Sequence, residues 1–144
     1  MKIIKLFFLV TVVFATLMMS VGETASAAKT STTIKMNSKF AYGGKAYLTT
    51  SENHSKVNAT YEAAYDSYVY VKLSLQRYSK GKWKNLGTKS GYTTNGFENK
   101  KNLNVTFNNI SNVTKKSTRI KVKIYNGYNK TQLMQTAYSK KWIR

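Results

Sequence analysis

The sequence of 144 residues carries 24 Lys and Arg against five Asp and Glu, a formal net charge of +19, with no cysteine and no proline. Without cysteine there is neither a disulfide-stapled scaffold nor thiol chemistry, and a single histidine makes the usual zinc spheres unattainable. Such a charge instead favours fast, salt-sensitive association with anionic polymers and surfaces.

The chain opens Met1-Lys2-Ile3-Ile4-Lys5, a positive start, and continues into a 14-residue apolar run from Leu6 to Met19 broken only by Thr11 and Thr16. Gly22, Glu23 and Ala25-Ser26-Ala27 follow, an A-x-A pattern that predicts a secretory signal over residues 1–27 cleaved before Ala28. The run is shorter than the roughly 20 apolar residues that cross a hydrocarbon core. A helix over residues 3–21 is therefore expected to be the uncleaved signal and no part of the fold. The signal type and the lack of cysteine fit an exported Gram-positive product, expected to be secreted, with association to the cell wall as one outcome. Removing 27 residues leaves 117, one domain over 28–144 with 22 Lys and Arg against Glu52, Glu62, Asp66 and Glu98, a charge of +18.

Residues 28–31 read as a frayed start. Thr32 to Phe40 alternates at Ile34 and Met36, Gly43-Gly44 reads as a hairpin turn, and Lys45 to Thr50 places Ala46 and Leu48 on one face. Val57, Ala59, Tyr61 and Ala63 keep the period of two. The clearest strand is Ser67 to Ser79, with Val69, Val71, Leu73 and Leu75 on the inner face and Tyr68, Tyr70, Lys72, Ser74, Gln76 and Tyr78 on the wet one. Ser79-Lys80-Gly81-Lys82 reads as a turn, and Trp83 to Thr88 as the returning strand. Gly87, Gly91 and Asn95-Gly96 predict a long loop over 89–100. Leu103, Val105 and Phe107 alternate again. So do Ile120, Val122 and Ile124, with Arg119, Lys121 and Lys123 outward. After the Asn126-Gly127 turn, Gln132 to Trp142 closes the domain, with Met134, Thr136, Tyr138 and Trp142 on one face. Seven or eight strands without helical periodicity predict an all-β, single antiparallel β-sandwich.

The stretch from Tyr70 to Leu86, an alternating strand ending Leu75-Gln76-Arg77, a turn with Gly81 and a return opened by Trp83, resembles the central hairpin of small secreted β-sandwich domains of Firmicutes. Those domains are immunoglobulin- or fibronectin-like in architecture. The resemblance implies that fold over about residues 56–139 and brings no catalytic residue and no ligand.

Catalytic material is sparse. Glu52 and His54 could form an acid–base pair, and Glu62 and Asp66 could flank a sugar bond, but an exposed polar hairpin loop explains the first placement better and a paired surface charge the second. No serine sits in a nucleophile elbow. A non-enzyme is expected, with no cofactor, no metal and no role for His54. Aromatic residues are the richer class: Tyr68 and Tyr70 on the best strand could pack across strands or stack on sugars or bases, as in single-stranded nucleic-acid binders. The expected function is adhesion to anionic envelope or extracellular polymers, such as teichoic acid or acidic polysaccharide, with only non-specific nucleic-acid binding. The candidate contacts are Lys80, Lys82, Trp83 and Lys84 around one hairpin, Arg119, Lys121 and Lys123 on another strand, and Tyr68 and Tyr70. The competing expectation is a bacteriocin-like antimicrobial protein acting on the envelope or membrane surface of rival bacteria, since Tyr and Trp favour the membrane interface.

Overall fold

Period-two alternation buries one face of a strand only if a second layer covers it, and here two antiparallel sheets cover one another. The computed structural model describes residues 29–38, 44–53, 55–111 and 115–144. The signal segment, its cleavage point, Phe40, Gly43 and His54 lie outside the described residues. Ten strands form among those described: β1 (Lys29–Lys35), β2 (Lys45–Asn53), β3 (Lys56–Glu62), β4 (Ser67–Ser79), β5 (Lys82–Asn95), β6 (Lys100–Lys101), β7 (Leu103–Phe107), β8 (Ser117–Asn126), β9 (Leu133–Tyr138) and β10 (Trp142–Ile143). A four-stranded sheet runs β1-β2-β3-β7. A six-stranded sheet runs β10-β8-β4-β5-β6, with β9 also on β8. Ten strands replace the expected seven or eight because β6 is a two-residue addition and the closing segment divides into β9 and β10.

The core lies between the sheets. Val69, Val71, Leu73 and Leu75 of β4 meet Ile120, Val122 and Ile124 of β8, and from the small sheet come Ile34, Ala46, Leu48, Val57, Ala59 and Tyr61, all buried. Each full aliphatic burial contributes roughly 1.5–3 kcal/mol. Of the alternating Leu103, Val105 and Phe107, only Phe107 is buried; Leu103 and Val105 are partly buried and pack on the core's margin. β7 is the edge of its sheet, paired only with β3.

Four other expectations are corrected. The start is not frayed, because Lys29, Thr30 and Ser31 pair with Ser51, Thr50 and Thr49. Residues 89–95 are not loop but the second half of β5, paired from Lys89 opposite Leu73 to Asn95 opposite Ser67. β1 ends at Lys35, ahead of the segment expected to continue it. The closing segment does not keep one face. Its register shifts opposite Ile124/Tyr125, so Met134 packs on the core while Thr136 and Tyr138 pair with the outward Lys123 and Lys121, and the strand breaks before β10, where Trp142 pairs with Thr118 and also packs on the core.

The β4–β5 hairpin turns through Lys80 (φ 51°) and Gly81 (φ 76°). Positive φ at both central residues of a two-residue loop is the type I′ geometry that matches strand twist. A bulge leaves Leu86 unpaired between the Leu75–Gly87 and Gln76–Asn85 pairs. It re-phases β5, so that Trp83 and Asn85 share the outer face with Thr88, Ser90, Tyr92 and Thr94.

Candidate functional site

The outer face of the six-stranded sheet collects most of the side chains that the sequence nominates. Even-numbered residues of β4 point there, and the register sets their neighbours: Tyr70 lies between Tyr92 and Tyr125, Lys72 between Ser90 and Lys123, Ser74 between Thr88 and Lys121, and Gln76 between Asn85 and Arg119. Tyr138 and Thr136 flank Lys121 and Lys123 on the other side. Arg119, Lys121, Lys123 and Lys72 are thus brought onto one surface, each half-buried and not fully in water.

Trp83 joins them, but its hairpin neighbours do not. Lys82 and Lys84 pair with Ser79 and Arg77, on the opposite side of the hairpin from Trp83, and Lys80 sits in the turn. The expected strip of Lys80, Lys82, Trp83 and Lys84 is therefore divided by the alternation of its own strand.

The rings are engaged with the protein itself. Tyr68 stacks on Tyr92 with centroids 5.5 Å apart, Tyr128 meets Tyr68 edge-on at 5.1 Å, and Tyr70 packs on Tyr92 at 5.1 Å and on Tyr125 at 6.3 Å. Lys72 stands 5.2 Å above Tyr125, and Lys130 stands 4.9 Å from Tyr92 and 5.3 Å from Tyr70. A hydrogen bond to Tyr92 and the electrostatic pull of that side chain hold the Lys130 ammonium above its ordinary range. At the other end the Arg119 guanidinium lies 3.9 Å from the Trp83 ring and 4.1 Å from the Tyr138 ring, and its Nε donates to Gln76 Oε1 at 3.0 Å. Gln76 in turn donates to Asn85 at 2.8 Å. This cover buries Gln76, which the sequence placed on the wet face.

Charge is segregated. Among the described residues the face carries no carboxylate. Glu62 pairs with Lys100 at 2.9 Å, Asp66 occupies the β3–β4 turn and Glu98 the β5–β6 loop, all at the end where β4 begins. Glu52 is taken up at the opposite end by Arg144 and Trp142. It is thus held by a structural ion pair, and the arrangement of Glu62 on Lys100 likewise gives that carboxylate a cationic partner. Lys72 stands directly opposite Lys123, a like-charge pair that costs the sheet roughly 0.2–1 kcal/mol.

Sequence reasoning missed Tyr92, Tyr125 and Lys130 as members of this face. Tyr125 extends the outward alternation of Lys121 and Lys123, a visible signal. Tyr92 was hidden by glycines that made its strand look like loop, and Lys130 arrives from the β8–β9 loop by tertiary placement alone. No family model, curated protein or solved structure matches the chain.

Proposed function

We propose that this is a secreted, non-enzymatic binding protein with an immunoglobulin- or fibronectin-like sandwich, which adheres to anionic cell-envelope or extracellular polymers. The observation that carries the reading is the outer face of the six-stranded sheet, where Lys72, Arg119, Lys121 and Lys123 stand together with no carboxylate among them. Such a face concentrates counter-charge and releases the polymer's condensed cations on binding, so affinity falls steeply with salt. The N-terminal signal pattern supports export, with a mature start at Ala28 that N-terminal sequencing of the exported protein checks.

The test is retention on isolated walls, with and without their teichoic acid, across a salt series. Reversing Lys121 and Lys123 to Glu is expected to lower retention about tenfold or more at 0.1 M salt, with the unfolding transition preserved. Retention indifferent to salt and to teichoic acid removal would require a neutral sugar or protein receptor instead.

A second reading has its own observation. Phe97 (92% exposed), Tyr128 (89%) and Tyr65 (63%) stand on three loops at the end where β4 begins. Exposed rings on adjacent loops suit insertion at a membrane interface, which supports the antimicrobial alternative. A growth-inhibition spot test on other bacteria separates the two: inhibition supports the antimicrobial reading, and its absence leaves adhesion.

A further inference from the structure

Two features of the cationic face narrow the polymer it suits. The first is spacing. Arg119, Lys121 and Lys123 are alternate residues of β8, all on the outer face. Successive outward residues of an antiparallel strand are roughly 6.8 Å apart. Two residues of strand and one repeat of a glycerol-phosphate chain contain the same number of main-chain bonds. In extended form the two therefore advance by about the same length, ~6.8 Å per charge. Lys72, one strand over from Lys123, doubles the positive charge at one end of the row.

The second feature is what the rings are doing. An aromatic platform for bases or sugars must leave its faces free. Along β8 the protein's own cations occupy them: Lys72 on Tyr125, and Arg119 between Trp83 and Tyr138. The rings act as pedestals that fix the cations in place, which lowers the entropy lost when a charged chain is bound. They are not offered to a base.

From these we infer that the ligand is an extended poly(polyol phosphate) with one phosphodiester per glycerol-length repeat, laid along β8 over Arg119, Lys121 and Lys123. This rests on the polyanion reading above and makes it specific. Inorganic polyphosphate packs its charges too closely for the row, a longer polyol such as ribitol spaces them too widely, and an acidic polysaccharide separates them by whole sugar rings. Single-stranded DNA has the same main-chain repeat but brings bases for which the covered rings have no place.

The test is titration of the full protein with defined oligomers at fixed salt: glycerol phosphate of two to eight repeats, oligothymidylate of equal charge, ribitol phosphate and heparin. Affinity for glycerol phosphate is expected to climb steeply to three or four repeats and only slightly beyond, and to exceed that for oligothymidylate and ribitol phosphate by about tenfold. Lys121→Gln with Lys123→Gln should lower the slope of log affinity against log salt by roughly 0.7 per cation removed. Lys82→Gln with Lys84→Gln, on the other side of the hairpin, should leave it unchanged. Equal or tighter binding of oligothymidylate, ribitol phosphate or heparin overturns the glycerol-phosphate assignment while the polyanion reading stands. An unchanged salt slope in the β8 double variant overturns the track along β8. If no anionic polymer binds in a salt-dependent manner, both readings fall together.

Discussion

Tyr61 shows how one atom can be out of step with a core that is otherwise satisfied. Its ring is fully buried between the sheets and its hydroxyl has no hydrogen-bond partner. An unpaired buried hydroxyl costs free energy that a hydrogen does not. Burial also pushes the phenol well above its ordinary range. In the unfolded chain the same group ionises near pH ~10. Above that pH the unfolded state holds fewer protons than the folded one, so stability present at lower pH is lost as pH rises. Tyr61→Phe is therefore expected to be neutral or more stable by up to about 1 kcal/mol at pH 7, with a shallower loss in alkali than the parent. Urea unfolding at neutral pH and above pH ~10 measures both, and a neutral-pH loss larger than that gain would count against the unpaired hydroxyl. The inward position of this ring was legible, since Val57, Ala59, Tyr61 and Ala63 alternate in plain sequence and all are buried. The missing partner was not, because it depends on which atoms other strands bring within reach.

At the scale of elements, the glycines of β5 explain why the sequence misread it. Gly87, Gly91 and Asn95-Gly96 look like punctuation, yet the first two sit inside a paired strand. A Cβ on Gly91 would lie 2.7 Å from Leu103 Cδ1, and one on Gly87 3.3 Å from Phe107 Cδ1. These glycines make room for β7; they do not end a strand. Gly127 differs in kind. A Cβ there would lie 2.6 Å from the Tyr68 carbonyl oxygen and collide with the Tyr68 ring, and its own N–H donates to that carbonyl at 3.2 Å. The obstacle at Gly91 is the end of a half-buried leucine, which can turn aside, whereas at Gly127 it includes backbone. Gly127→Ala should destabilise by roughly 1–3 kcal/mol, and Gly91→Ala by clearly less. Thermal unfolding of the two variants tests the order, and the reverse order would mean that Leu103 is the more rigidly held neighbour. The strands with uninterrupted alternation, β4 and β8, were read correctly for the same reason that β5 was not: periodicity reports burial of side chains, and glycine has none to report.

For the whole molecule the question is what ties two sheets together without a disulfide in a chain of such high positive charge. Hydrophobic contact supplies most of it, but one end carries a polar clamp. Glu52 of β2 accepts from Trp142 Nε1 at 3.0 Å and Arg144 Nη1 at 3.3 Å, and Arg144 also reaches the carbonyls of Lys56 and Ile110, each at 3.4 Å. Arg77, from the inward face of β4, donates to Ser111 from both Nη atoms, at 3.3 and 2.8 Å. Burial first, then the charge of Arg144, pulls the Arg77 guanidinium below its ordinary range, and Glu52 opposes them. Two buried guanidiniums thus depend on one carboxylate. The sequence offered Glu52 only as a partner for its near neighbour His54, because a contact spanning 92 positions leaves no local trace. Neutralising it should leave like charges together in a poorly solvated place, and Glu52→Gln is expected to cost about 3 kcal/mol or more. Glu62→Gln is the comparison, since the Glu62–Lys100 pair is substantially exposed, 30% and 51% by side chain, and should be worth about 0–1 kcal/mol. Salt separates them further. Raising it screens the exposed pair and the repulsion among surface lysines, but reaches the Glu52–Arg144 pair, 17% and 3% exposed by side chain, far less. Denaturant unfolding at low and high salt should therefore show the Glu62→Gln deficit vanishing while the Glu52→Gln deficit persists. Equal and equally screened deficits would place Glu52 among the surface charges and leave the tie between the sheets to apolar packing alone.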